Sequence, residues 1–175
     1  MEGNSGTIRI VVCDAGPLIH LDELGTLALL SEFPQILVPQ AVWAEVEQHR
    51  PSVFGRSAPS FTRAKPRRPA DAALIALSRL FPLHAGETQA LQIAAEEGAD
   101  LLLTDDTAAR LAARQLGLPV HGTVGILLRA VRRREWTPRQ AADLLRDIPT
   151  RSTPHISPAL LDEILAEVER FGHEQ

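Results

Sequence analysis

"LLLTDD", residues Leu101–Asp106, is the stretch whose reading decides the fold. Four residues suit a protein interior, and two adjacent carboxylates follow at once. The apolar run Ala99–Thr104 is short and bounded by Gly98 and by the acids, which marks a buried strand. The acids have two readings. One of them caps the helix that starts near Thr107, or the pair holds something positive, since adjacent like charges repel.

Working outward, the same pattern recurs. Ile8–Val12 is β-branched and broken by Asp14-Ala-Gly-Pro17, and Gln35–Val38 and Pro119–His121 are further short strands. Helical stretches fill the gaps. Leu18–Phe33 is interrupted at Gly25, and Gln40–His49 follows Pro39. Ala70–Leu80, Gly86–Glu97 (closed by Gly98) and Thr107–Leu116 (closed by Gly117) come next. Ile126–Arg134, Pro138–Asp147 and Pro158–Phe171 make a helical C-terminal half. Strands separated by helices predict a three-layer α/β/α fold around a short parallel sheet, in one domain over residues 1–175. Residues 50–69 hold four prolines, Gly55 and the cations Arg50, Arg56, Arg63, Lys65, Arg67 and Arg68 without an acid. This stretch predicts a long basic loop, either solvated or in contact with phosphate or a partner.

The 175 residues are 45% apolar with a formal net charge of −4, which supports a core and argues against nucleic-acid binding by bulk charge. Local basic patches and bound cations are not excluded. Lys65 is the only lysine among 18 basic residues, and arginine's planar fork pairs well with phosphate. A single cysteine, Cys13, permits no internal disulfide and no cysteine-based zinc site, and it is expected in the core. No apolar run approaches the ~18 residues of a membrane span. MEGNSGTIRI lacks the pattern of a signal peptide, so a cytoplasmic location is expected, with no membrane partner.

In parallel α/β sheets, ligands sit beyond the carboxyl ends of the strands. Asp14 ends the first strand, and Asp105 and Asp106 end the one quoted above, so central strands would bring all three to one rim. Helical phase, at about 100° per residue, adds two more acids. Glu45 lies near the inward face marked by Val42 and Val46, while Glu47 points away. Glu87 shares a stripe with Ala90, Leu91 and Ala94, opposite Glu96. An inward carboxylate needs a cation, an arginine or hydrogen bonds. Taken singly, Asp14 reads as an Asx turn, Glu87 as a first-turn acid answering the helix dipole, and Glu45 as an arginine's partner. Taken together on one rim, they suit a hard divalent metal.

The ordered series VVCDAGPLIHL, VPQAVWAEV, AGETQALQIA and LLLTDDTAARLAARQLGLPVHGTVGILLRA resembles the PIN-domain family and covers most of residues 8–134. The likeness is to a branch with Gly-Glu where a helical aspartate is more usual, and with a DD-x-x-AR segment. The resemblance implies a metal-dependent ribonuclease that hydrolyses RNA phosphodiesters with Mg2+ or Mn2+. Many small bacterial members are VapC-type toxins neutralised by an antitoxin protein. By position it makes Asp14, Glu45, Glu87 and Asp106 catalytic and metal-holding. Asp105, standing where members often have a polar residue such as asparagine, is expected as a second metal ligand or merely as the helix cap, and Thr104 is expected to assist through its hydroxyl. Arg110, with Arg67 and Arg68 of the basic loop, is expected to guide the RNA backbone. The alternative is a degenerate PIN-like module that binds RNA or protein without cutting.

Other classes fit worse. A receiver-like site needs a lysine after a late strand, a dehalogenase-like phosphatase needs D-x-D after the first, and no phosphate-binding glycine motif follows a strand. The histidines lack metal-ligand spacing, and His20 and His121 read as structural or surface groups. Gly122-Thr-Val-Gly125 reads as a turn with close helix packing. Arg129, Arg132, Arg133 and Arg134 read as a solvated helix end or a phosphate patch. Leu161, Ile164, Leu165 and Val168 share one face of the last helix. They pack onto the domain or serve a homodimer or antitoxin contact.

Overall fold

The structure, a computed structural model, describes residues 7–55, 57–152 and 156–173. Five strands form one sheet: β1 (Ile10–Cys13), β2 (Gln35–Pro39), β3 (Phe61–Ala64), β4 (Leu101–Leu103) and β5 (Val120–His121). Their order is β3-β2-β1-β4-β5 and every pairing is parallel. The helices are α1 (Ala15–Glu23), α2 (Gln40–His49), α3 (Ala72–Leu80), α4 (Ala85–Glu97), α5 (Thr107–Gln115), α6 (Thr123–Arg132), α7 (Pro138–Arg151) and α8 (Pro158–His173). No described helix is long and apolar enough to cross a membrane.

The period of two along each strand divides the core. Val11, Cys13, Ile36, Val38, Leu101 and Leu103 face one side, where α1, α2, α6, α7 and α8 bring Leu18, Val42, Leu127, Leu145 and Val168. Val12, Leu37 and Leu102 face the other, under Leu74 of α3, Leu91 and Ile93 of α4 and Ala112 of α5. This is the three-layer α/β/α arrangement expected from the alternation of strands and helices. Burial of each such leucine or valine contributes roughly 1.5–3 kcal/mol. Cys13 is fully buried in this core.

The segment 50–69 differs from the expected loop. Pro51–Val53 forms a 3-10 turn and Phe61–Ala64 is an edge strand beside β2. The cause is an aromatic stack: Trp43 of α2 lies on Phe54 with ring centroids 3.7 Å apart, and Phe61 meets Phe54 edge-on at 5.6 Å. An edge strand of four residues with Thr62 and Arg63 exposed carries too little alternation to be read locally. Its cations are largely committed within the protein. Arg50 pairs with Asp22 at 2.7 Å, Arg63 lies 4.8 Å from the Trp43 ring, and Arg67 pairs with Glu97 at 2.7 Å. Arg56 lies outside the described residues.

The bounds of two helices, α7 and α6, differ for visible reasons from those the periodicity predicts. α7 continues past Asp147 to Arg151, because Pro149 falls in its last turn and costs only a late hydrogen bond. α6 begins at Thr123 rather than Ile126, because its first N–H is met by the side chain of Asp105, from β4's end. α8 packs Ile164 and Val168 into the core, the domain-packing reading of its apolar face.

Candidate active site

β1 and its neighbour β4 end level with each other: Cys13 stands beside Leu103, and the Asp14 N–H donates to the Leu103 carbonyl at 2.9 Å. Both strands therefore deliver their next residues to one rim. A cavity of about 1220 Å3 opens there. Asp14, Glu45, Glu87, Asp105, Asp106 and Arg110 all line it, together with His20 and His121.

Asp14 is 7% exposed. Burial foremost pushes its carboxyl up, to about 6. The backbone N–H of Ala15 and the Thr104 hydroxyl resist that shift, and the Glu87 and Glu45 carboxylates add to it. Thr104, fully buried, joins the two strand-end acids. Its hydroxyl donates to Asp14 Oδ2 at 2.9 Å and accepts from the Asp106 N–H at 3.2 Å. Glu87 is partly buried in the first turn of α4, where its Oε2 accepts from the His84 N–H at 2.6 Å. Burial chiefly raises its carboxyl against that bond, with Asp106 and Glu45 adding repulsion.

Glu45 is exposed, so helical phase placed it on the correct side of α2 but not in the interior: it faces the cavity. Gly86 lets α4 approach these acids. A Cβ there would stand 3.1 Å from Val42, 3.7 Å from Asp14 Oδ1 and 3.9 Å from Glu45 Oε2.

The two adjacent aspartates separate in role. Asp106 is the N-cap of α5, its Oδ1 accepting from the Ala109 N–H at 2.7 Å, and the residue is exposed and lines the cavity. Asp105 does not cap that helix. It accepts from the Thr123 N–H at 2.7 Å, the Thr123 hydroxyl at 2.6 Å and His20 Nδ1 at 2.8 Å. Burial would raise the Asp105 carboxyl, but the His20 and Thr123 bonds outweigh it and hold it below its ordinary value. Arg110 reaches back so that Nη1 donates to the Thr104 carbonyl at 3.3 Å.

The structure thus assembles Asp14, Glu45, Glu87, Asp105, Asp106, Thr104 and Arg110, but not Arg67 and Arg68. The backbone N–H groups of those two arginines donate to Glu96, near the far end of α4 from Glu87. The arginines of α6 and its C-terminal turn are engaged elsewhere: Arg129 and Arg133 each meet Glu32 at 2.8 Å, and Arg132 meets Glu167 at 3.1 Å. His20, Thr123 and Gly122 were not legible as site residues. A Cβ on Gly122 would overlap Asp105 Oδ1, so close packing was the correct reading there, but the partner was unseen. The one available signal is that Gly16 and His20 share a face of α1, four residues apart, directly after Asp14.

Among the described residues, no arginine or lysine forms an ion pair with Asp14, Glu45, Glu87 or Asp106. Also among them, no three His, Cys, Asp or Glu side chains already surround one point as metal ligands. The acids share a cavity without being closed on an ion. As a donor set they fit a hard divalent cation: all are carboxylate oxygens, they raise one another's proton affinity, and they lack a built-in counter-charge.

The site is thus an acid-lined cavity at the carboxyl rim of a parallel α/β/α sheet. A family model described as a PIN domain matches residues 10–170, and the chain belongs to the PIN-domain family. PIN domains are generally nucleases and typically use divalent metals. No curated protein matches the chain significantly.

Proposed function

We propose that the protein is a divalent-metal-dependent endoribonuclease in which Asp14, Glu45, Glu87 and Asp106 hold Mg2+ or Mn2+. The observation that carries this reading is the meeting of four carboxylates, from four separate elements, in one cavity with no ion pair to any of them among the described residues. Bound there, the cation supplies an activated water and offsets the charge that builds on a phosphoryl group under attack.

The chain's own groups do the rest. Thr104 holds Asp14 in place through its hydroxyl and orders the start of α5 through the Asp106 N–H. Arg110, braced on the Thr104 carbonyl, keeps further N–H donors for a phosphate of the RNA backbone. Asp105 has both oxygens occupied and serves to position its neighbours rather than to bind metal. Arg67 and Arg68, held beside Glu96, have no part in this reading.

The test is cleavage of varied single-stranded RNAs by the purified protein with Mn2+, with Mg2+ and with chelator. Metal-dependent cleavage that Asp14→Asn abolishes supports the reading. Binding of Mn2+ and RNA with no cleavage favours the degenerate binding module instead. A toxin role under an antitoxin protein is the biological setting we propose, on the family likeness alone. Growth arrest on expression, absent for Asp14→Asn, checks it.

A further inference from the structure

The acids line one part of the cavity, and another part is apolar. Ile156, just before α8, and Leu160 and Ile164, one turn apart on it, line the cavity together with Val124 of α6. Ile164 is seated in the core, and Ile156 and Val124 pack against that core. Leu160 differs. It is 48% exposed, and of the four large apolar residues exposed among the described ones it alone lines this cavity. Its place is nevertheless fixed. Ile164 and Val168 anchor α8 in the core, the Leu160 N–H donates to the Ser157 hydroxyl at 3.3 Å, and the Leu161 N–H donates to the Ser157 carbonyl at 2.9 Å.

The apolar wall and two of the acids come from different layers. α8 packs with α6 and α7 on the side of the sheet that Cys13 and Leu103 face. Glu87 and Asp106 stand at the starts of α4 and α5, which cover the other side. A ligand that touches both Asp106 and Leu160 therefore crosses the rim of the sheet. The cavity, about 1220 Å3, has room for one. Pockets that enclose a whole small molecule are roughly 300–1,000 Å3, so a cation and one phosphodiester group leave much of this one unfilled.

A nucleotide has the matching build, with charge at one end and a flat base at the other. A phosphate oxygen or sugar hydroxyl laid against Leu160, Ile156 and Val124 would lose water and gain no partner. The face of a base loses little there, because it buries apolar area and keeps its polar edge toward water. We propose that Leu160, backed by Ile156 and Val124, forms a nucleobase subsite that takes the face of one base beside the phosphate held at the acids. This rests on the ribonuclease reading and places a part of the substrate which that reading leaves unplaced. These side chains carry no hydrogen-bonding group to read a base edge, so the subsite accepts every base by its face and selects no letter of the sequence.

The test compares two ligands of equal length and charge, a fluorescent uridine oligonucleotide and an abasic ribose-phosphate strand. Their affinities are measured by anisotropy in Ca2+ for the wild type, Leu160→Ser and Leu160→Met, with folding of each checked by circular dichroism. The wild type should prefer the uridine strand. Leu160→Ser should bind that strand about 5-fold more weakly, the weight of a small apolar contact, and bind the abasic strand as the wild type does. Leu160→Met, which keeps the apolar reach, should retain the preference. An equal loss on both strands, or no preference in the wild type, overturns the proposal. So does uridine binding that Leu160→Ser leaves unchanged, the result expected if a protein segment covers this face instead. Cleavage in Mn2+ is read separately: its absence in the wild type sinks the ribonuclease reading, while the affinity ratio still decides the base subsite.

Discussion

Glu32 and Asp14 both hold carboxylates largely withdrawn from water, and the fold treats them in opposite ways. Glu32 ends the 3-10 turn before β2 with its side chain 6% exposed, and Arg129 and Arg133 both reach it at 2.8 Å. Asp14 ends β1 at 7% exposure, and its nearest charged influences are two more acids, Glu87 and Glu45. An ion taken from water loses several kcal/mol of solvation unless a partner offsets it. At Glu32 the protein supplies that partner from its own arginines, which ties α6 to the segment before β2. At Asp14 no cation stands in that place among the described residues, and the carboxyl rises to about 6 despite its hydrogen bonds from Ala15 and Thr104. The first arrangement serves architecture. The second leaves carboxylates without a paired cation where the ends of β1 and β4 open onto the cavity.

The largest expected contrast is in rate. Asp14→Asn combined with Asp106→Asn should lower metal-dependent RNA cleavage by about 1000-fold. Glu32→Gln should leave the rate of the folded protein within a factor of two, as measured by single-turnover cleavage at saturating metal. Breaking the other acid site should act on folding instead. Arg129→Ala with Arg133→Ala strands Glu32 and is expected to lower unfolding free energy by about 3 kcal/mol in urea titrations.

A third contrast turns on sign. Asp14 titrates at about 6 in the fold against 3.8 for a free carboxyl. The folded chain therefore binds more protons between those values, and stability falls as pH rises through that window. Asp14→Asn removes the penalty, while its amide oxygen still accepts from Thr104. Metal-free Asp14→Asn should thus be more stable than wild type at pH 7.5 by up to about 3 kcal/mol. The gain should vanish at pH 3, where both states carry the proton. A variant that is more stable and inactive is the signature of charge kept for function. The smallest effect concerns Asp106, which both caps α5 and lines the cavity. Asp106→Ala should be ~1 kcal/mol less stable than Asp106→Asn, which retains the cap, while both lose cleavage.

Much of this was legible in the chain. The layered fold followed from short apolar runs alternating with helical stretches, and Asp14 and Asp106 followed from where those runs end. Helical phase placed Glu45 and Glu87 on the cavity side, although it could not tell a cavity from a core. What escaped were features made by contacts distant in sequence. β3 forms because Phe61 meets Phe54 and Trp43, not because its own four residues alternate. α6 starts early because Asp105, 18 residues upstream, meets its first N–H. The expected phosphate contacts of Arg67 and Arg68 did not anticipate Glu96 and Glu97, although the phase of Glu96 puts it on the face opposite Glu87. Charge counts say how many cations a segment holds; only packing says which acids they meet.

The direct test of the central claim is a calorimetric titration of Mn2+ into the metal-free protein at pH 7.5, beside Asp14→Asn/Asp106→Asn and Glu32→Gln. The expected result is saturable binding to wild type and Glu32→Gln, and loss of that binding in the double carboxamide variant. Equal binding by all three proteins, or none by the wild type, would contradict the assignment of this acid cavity to a divalent cation.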